Sequence, residues 1–332
     1  MANTKTKKGL EFKRKFTIDG VSPFDQFEYD YRDSVIKNPN GEKVFEMTNV
    51  EVPKQWSQIA TDILAQKYFR KAGVPQTDGS LGRETSVKQV AHRMANCWMD
   101  WGKRYGYFAT NDDAQVFYDE LVYTIVGQLA APNSPQWFNT GIYTEYGIKG
   151  QPQGHYYAEP ETGQVQPSTS AWERPQVHAC FIQSVNDNLV GDAGIMDLWM
   201  REARVFKFGS GTGSNFSALR GKGETLEGGG ASSGLVSFLK VGDAAAGAIR
   251  SGGATRRAAK MVTIDMDHPD ILEFIRWKAK EEEKAQALIQ AGFTPDDAYE
   301  TVSGQHANHS VRLTEAFMNC MDEQGEWALR FR

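Results

Sequence analysis

The chain has 332 residues, 24% of them charged and 40% hydrophobic, with a formal net charge of −5; this is ordinary globular composition, and it gives no electrostatic case for a nucleic-acid polymer as partner. No run of about eighteen apolar residues occurs, so no membrane helix is expected, and the basic N-terminus has no apolar stretch behind it to make a secretory signal. The three cysteines, Cys97, Cys180 and Cys320, are far apart, which fits a reducing cytoplasm better than a disulfide scaffold.

The first fifty residues read as short strands and turns, with Asn38-Pro39-Asn40-Gly41 as a turn before Lys43-Val44-Phe45. From Gln55 to Lys71 the pattern turns helical, with Trp56, Ile59, Ala60, Ile63, Leu64 and Tyr68 on one predicted face. A loop from Val74 to Gly82 precedes two further helices, Ser86 to Tyr105 and Asp112 to Ala130. Residues 1–130 therefore read as a mostly helical N-terminal region. Pro132 and Pro135 end the third helix, and residues 141–175, rich in Gly, Tyr, Gln and Pro, read as a long surface excursion.

The texture then changes. His178-Ala179-Cys180-Phe181-Ile182 is a buried-strand candidate. Helices are expected at Ile195–Phe208 and Leu235–Ile249, with a Gly- and Ser-rich loop holding one short strand between them. Met261 to Ile264 is a strand; His268-Pro269-Asp270 opens a helix to about Ala291, with Asp270 complementing its dipole. A strand around Ser310–Leu313 precedes a helix from Thr314. The alternation predicts an α/β architecture. The last residues, Trp327 to Arg332, alternate like a strand with no turn or polar tail and read as an interruption.

Four constellations carry possible chemistry. Phe208-Gly209-Ser210-Gly211-Thr212-Gly213-Ser214 could bring backbone N–H groups to a phosphate, but it is neither a P-loop nor a strict dinucleotide fingerprint, and a plain loop is the alternative. Arg250-Ser251-Gly252-Gly253-Ala254-Thr255-Arg256-Arg257 joins guanidinium groups to mobile backbone, suited to a charged ligand or to a solvated turn. Cys180, alone in an apolar run, reads as a small core residue. His178-x-Cys180 and His306-x-x-His309 lack the ligand count of a structural zinc site, so no metal is expected.

The order of these pieces carries a resemblance. Asn133-Ser134-Pro135-Gln136-Trp137-Phe138-Asn139-Thr140-Gly141, Gly154-His155-Tyr156-Tyr157, His178-Ala179-Cys180-Phe181-Ile182-Gln183-Ser184, Gly194-Ile195-Met196-Asp197-Leu198-Trp199, Phe208 to Gly221, Ser251 to Met261, Asp267-His268-Pro269-Asp270-Ile271, Thr301 to Gln305 and Asn308 to Arg312 resemble the adenosylcobalamin-dependent class II ribonucleotide reductases. The likeness runs upstream through Trp56-Ser57-Gln58 and Leu64 to Lys71 and covers essentially the whole chain. It implies a mostly helical N-terminal region, residues 1–130, followed in residues 131–332 by the first half of a ten-stranded ribonucleotide reductase α/β barrel.

The family replaces the ribose 2′-hydroxyl of a ribonucleotide with hydrogen. Adenosylcobalamin starts a cysteine thiyl radical, and two further cysteines supply the electrons and end as a disulfide, so the cofactor carries the hard chemistry. By motif, Cys180 matches the first reducing cysteine. Ser134, Ala179, Cys180 and Gly211 match substrate contacts. Asp187 matches the acidic residue for a regulatory deoxynucleoside triphosphate, and Arg220, Arg250, Gly252, Gly253 and Arg256 lie on the two loops that match those carrying effector identity. The resemblance also implies diphosphate substrates, a thioredoxin-like reductant, and a homodimer paired through helices 195–208 and 235–249. The family's radical cysteine sits in Asn-x-Cys-x-Glu. Asn96-Cys97 and Asn319-Cys320 have the wrong spacing, so that motif is absent from these residues. A missing C-terminal half or a complementing polypeptide is therefore expected for activity. A non-catalytic nucleotide-binding regulatory chain is the alternative; a glycyl-radical relative fits the motifs less well.

Overall fold

The structure is a computed structural model, described for residues 9–37, 41–152, 154–249 and 258–332. It divides into two compact units, Met1–His178 and Ala179–Arg332.

The first unit opens with an antiparallel hairpin of β1 (Tyr29–Lys37) and β2 (Lys43–Pro53), in register from Tyr29 opposite Pro53 to Lys37 opposite Lys43, with two bulges. The strand texture of the first fifty residues is this hairpin; of its expected turn, only Gly41 lies among the described residues. Ser57 caps α1 (Gln58–Ile63), its hydroxyl accepting from the Ala60 N–H. The expected continuous helix to Lys71 is corrected. After Ile63 the chain takes one π turn, Leu64–Tyr68, and the buried residues are Trp56, Thr61, Leu64, Ala65 and Phe69, while Ile59 and Ile63 face solvent. The wider turn shifts the apolar face away from the 3.6-residue pattern.

Short β3 (Val74–Pro75) pairs with β4 (Leu81–Gly82). Helix α2 (Val87–Arg104) starts on a capping box, with Ser86 accepting from the Lys88 N–H and Gln89 accepting from the Ser86 N–H. Helix α3 (Asn111–Val126) is capped by Thr110. Val87, Val90, Ala91 and Met94 of α2 and Val122, Ile125 and Val126 of α3 pack with Val50 and Val52 of the hairpin. Fixing these helices against the sheet buries the apolar area that stabilises the unit.

The expected stop of the third helix at the prolines is corrected: α3 ends at Val126 with Gly127 as its cap and Gln128 at φ +56°, ahead of Pro132. Pro135 instead lies in the first turn of α4 (Ser134–Asn139), where it needs no amide partner. Helix α5 (Ile142–Tyr146) follows, with Ile142 fully buried. Strands β5 (Tyr156–Ala158) and β6 (Val165–Pro167) form a hairpin. The expected surface excursion over 141–175 is thus corrected in part: Ser168, Ser170 and Ala171 are also buried. Local bonds order it, with Ser168 donating to the Ser170 carbonyl and the Ala171 N–H reaching the Gly150 carbonyl.

The second unit is a four-stranded parallel sheet in the order β10-β9-β8-β7. Its strands are β7 (Cys180–Gln183), β8 (Gly211–Asn215), β9 (Lys260–Asp265) and β10 (Ala307–Arg312). Parallel neighbours require crossovers, supplied by α6 (Ile195–Lys207), by α7 (Leu235–Ala248), and by α8 (Ile271–Gln290) with α9 (Pro295–Thr301); α10 (Glu315–Asp322) follows. Ile195, Leu198 and Trp199 of α6 and Leu235 and Leu239 of α7 pack on Val262 and Ile264 of β9. No helix among the described residues is long and apolar enough to cross a membrane.

Two expectations change here. The short strand expected within the Gly- and Ser-rich stretch is β8, Gly211 to Asn215, between β7 and β9, so residues 211–214 are neither a plain loop nor an open phosphate loop. β7 is at the edge of the described sheet, and Ile182 is 91% exposed, so its apolar run marks an uncovered strand and not a buried one. The final residues, 327–332, form no strand; the Arg330 N–H reaches the Asp267 carbonyl and the Arg332 N–H the Glu224 carboxylate.

Candidate functional site

Ala179, Cys180 and Gly211 come together at the start of two neighbouring strands. Cys180 stands opposite Gly211 in the ladder, and the Gly211 N–H donates to the Ala179 carbonyl at 2.7 Å. The next amide, Thr212, donates to Ala259 on the other side at 2.9 Å. These amides are spent on the sheet, so they form no open phosphate cradle. Glycine is required at 211 for another reason. A Cβ there would lie 2.9 Å from the Ala259 carbonyl oxygen and 3.2 Å from its methyl group, too close for any larger residue without moving β9. The Cys180 thiol is free and exposed, which corrects the reading of it as a core residue.

Asp187 and Arg220 also meet. The Arg220 Nε donates to the Asp187 carboxylate at 2.5 Å, and the Arg220 amide adds a bond at 3.3 Å. The pair joins the loops that leave β7 and β8, and both side chains keep about a quarter of their surface in solvent. The loop that Arg220 begins is tied down by Asp270. That carboxylate accepts from the Lys222 amide at 2.9 Å and from the Leu235 amide at 2.8 Å. It makes no hydrogen bond to its own helix, α8, for which it stands as the N-cap residue with its charge at the positive end of the dipole; its oxygens also supply the cap that Gly234 cannot give α7. Gly234 has φ +87°, and a Cβ there would lie 2.7 Å from that of Lys222. His268 supports this corner; its ring accepts from the Asp270 amide and donates to the Leu219 carbonyl at 2.8 Å.

Ser134 lies in the first unit, as the first residue of α4. Its hydroxyl is 3.1 Å from that of Tyr68. The far end of α4 is held by Arg93, which is 1% exposed. Its guanidinium donates to the carbonyls of Trp137 and Thr140, each at 2.7 Å, and to Glu84 at 2.6 Å. Glu84 in turn accepts from Tyr146 and from the Arg70 amide.

Arg250, Gly252, Gly253 and Arg256 lie outside the described residues. Among the described residues no group of three or more His, Cys, Asp or Glu side chains is placed to hold a metal ion. His309 is sandwiched against Phe274 and Trp277, with ring centroids at 4.6 and 5.0 Å. Sequence reasoning missed a second buried pair, Glu202 with Lys260 at 2.6 Å, beside the Thr212 hydroxyl at 3.0 Å. Fifty-eight residues separate its members, and no spacing rule links an acid on α6 to a lysine on β9.

Comparison with known proteins bears on this arrangement. The class II vitamin B12-dependent ribonucleotide reductase family matches residues 30–128, and the ribonucleotide reductase barrel domain matches residues 178–331. A vitamin B12-dependent ribonucleotide reductase of Bradyrhizobium diazoefficiens is 44% identical over 97% of this chain and 34% of its own length. One from Agrobacterium fabrum is 50% identical over 96% of this chain and 26% of its own. A vitamin B12-dependent ribonucleoside-diphosphate reductase of Mycobacterium tuberculosis is 34% identical over 44% of the chain and 18% of its own length. The chain thus spans about a third or less of these relatives. With its four parallel strands inside the barrel match and its hairpin and helices under the preceding one, the chain belongs to the vitamin B12-dependent class II ribonucleotide reductases, as an N-terminal portion of that family's sequence.

Proposed function

We propose that this chain supplies the first reducing cysteine and part of the substrate and effector sites of an enzyme that converts ribonucleotides to 2′-deoxyribonucleotides. Residues 1–130 serve as its N-terminal region and 131–332 as the first half of its barrel. In the net reaction one ribonucleotide and two thiols give one deoxyribonucleotide, water and one disulfide. Cys180 is the thiol that protonates the departing 2′-hydroxyl and then enters the disulfide, which a thioredoxin-like partner reduces again. Its disulfide partner and the radical-bearing cysteine come from outside residues 1–332. Cys97 is buried with its thiol pushed up by desolvation, and neither it nor Cys320 stands in a matching motif. The printed name of the M. tuberculosis relative favours diphosphate substrates.

The observation that carries this reading is the free, exposed Cys180 thiol at the ladder position opposite Gly211, beside the Ala179 carbonyl. A reducing thiol must be reachable by substrate, by its partner thiol and by the external reductant, which a buried cysteine is not. Asp187 and Arg220 form the base of the site for a deoxynucleoside triphosphate effector. Exposed Met196 and Met200 on α6 and Val241 on α7 support pairing of these helices in a homodimer. The free thiols fit a cytoplasmic setting.

Adenosylcobalamin supplies the radical in this reading. Two cavities among the described residues have volumes of about 610 and 400 Å³. Those are sizes for drug-like molecules, and polar residues line much of both; neither fits a corrin with its nucleotide tail.

The test is Cys180→Ser in the holoenzyme. Ribonucleotide binding is expected to persist while multiple-turnover reduction with a dithiol is abolished. Normal turnover would remove Cys180 from the chemistry.

A further inference from the structure

Helix α1 ends in an unusual way. Its last turn, Leu64–Tyr68, is a π turn closed by the Phe69 N–H on the Leu64 carbonyl at 3.0 Å. Such turns are rare and are found frequently at functional sites. The residue this one re-aims is Tyr68. Its ring lies against Trp137 and Phe138 of α4, with centroids at 5.4 and 5.2 Å. Its hydroxyl reaches that of Ser134 at 3.1 Å, and both side chains are only partly buried.

Packing alone explains the ring but not the oxygen. A phenylalanine would fill the same space and leave Ser134 free to rotate. The chemistry of the pair gives the oxygen a task. A phenol is more acidic than an alkyl alcohol, so the Tyr68 O–H donates and the Ser134 Oγ accepts. That fixes the serine hydroxyl and turns its own proton outward, polarised by the bond it has received. The outward O–H suits an oxygen acceptor such as a nucleotide presents on its phosphates and ribose. The base under it is firm, because Arg93 clamps the carbonyls of Trp137 and Thr140.

On the reading that Ser134 meets the nucleotide, we propose that Tyr68 is a positioning residue for substrate, setting the Ser134 hydroxyl to donate to it. Tyr68 does not itself touch the reacting atoms.

A double-mutant cycle in the holoenzyme tests this, with Tyr68→Phe, Ser134→Ala and both together. Two quantities are read: equilibrium binding of a ribonucleoside diphosphate by titration calorimetry, and KM against kcat. Tyr68→Phe keeps the ring stack and is expected to fold as the parent does, verified by its melting curve. It should raise Kd and KM roughly 2- to 12-fold, the range of one neutral hydrogen bond, with kcat unchanged. The double variant should bind no worse than Ser134→Ala alone, since the phenol acts only through the serine. Weakened binding in Ser134→Ala with none in Tyr68→Phe would overturn the role of Tyr68 and leave Ser134 as a substrate contact. Additive losses would overturn it too, because Tyr68 would then act by itself. Unchanged binding in Ser134→Ala would overturn both.

Discussion

Each unit encloses an ion pair out of reach of water, and the two are built on different terms. In the first, Arg93 meets Glu84, with neither side chain exposed. Arginine keeps its charge, and its planar fork offers five donors. Here they reach a carboxylate and two helix-end carbonyls, while Tyr146 and the Arg70 amide complete the acid. In the second unit, Lys260 meets Glu202 with side-chain exposures of 1% and 3%. Burial pushes the Glu202 carboxyl up and the Lys260 ammonium down, each against the pull of the other. Beyond one another they have the Thr212 hydroxyl and the face of Trp199, 3.8 Å from the ammonium. The arginine pair is a joint that ties backbone segments together. The lysine pair is a contact between helix and sheet whose mutual attraction does not fully offset its desolvation. Burial alone does not tell the two apart; the count of backbone groups each satisfies does.

That difference can be broken by substitution. Arg93→Leu strands a buried carboxylate and two carbonyls, and should cost about 3–5 kcal/mol in urea unfolding. Adding Glu84→Leu should recover little, because the carbonyls of Trp137 and Thr140, the Tyr146 hydroxyl and the Arg70 amide remain unpaired. If the double variant regains parental stability, the joint is only an ion pair. Lys260→Met alone should cost about 3 kcal/mol, whereas Lys260→Met with Glu202→Leu should regain most of it, as apolar replacements of buried pairs often do. A double variant as unstable as the single one would place this pair in the same class as the first.

The smallest effect concerns pH and the second unit. Burial between Phe274 and Trp277 lowers the His309 pKa to about 4. The unfolded ring takes up its proton near its ordinary value of about 6.5, while the folded ring stays neutral. The unfolded state therefore binds more protons in between, and stability falls as pH drops from about 6.5 towards 4, levelling off below. His309→Gln should flatten that part of the profile. An identical profile in the variant would assign the loss to other groups.

Much of this was legible in the sequence, in proportion to how local the physics is. The capping box at Ser86 and Gln89 and the helix it opens need only four residues to be read. The alternation of strands and helices after residue 175 predicted the α/β architecture that the parallel sheet shows. Helix α1 was misread because Ile59 and Ile63 fit a 3.6-residue period that the π turn breaks. A short strand was expected in the Gly- and Ser-rich stretch, but its place at β8 was hidden because Gly-Thr-Gly-Ser has poor strand propensity, and the tight approach of Ala259 explains the glycine at 211. Of the site, Ser134, Cys180, Gly211 and Asp187 were nameable through resemblance alone. Their neighbours Tyr68, Arg93 and Glu84 depend on contacts across 66, 47 and 62 residues, which no local pattern records.

Asp270 carries a consequence of its own. A single carboxylate holds the Lys222 amide with one oxygen and the first amide of α7 with the other. The loop and the helix thus share a fastener and cannot be adjusted separately. Pulling Arg220 and Lys222 by much more than a hydrogen-bond length would either uncap α7, at roughly 1 kcal/mol, or drag its first turn along. A loop that would otherwise fray on its own is in this way geared to a fourteen-residue rod.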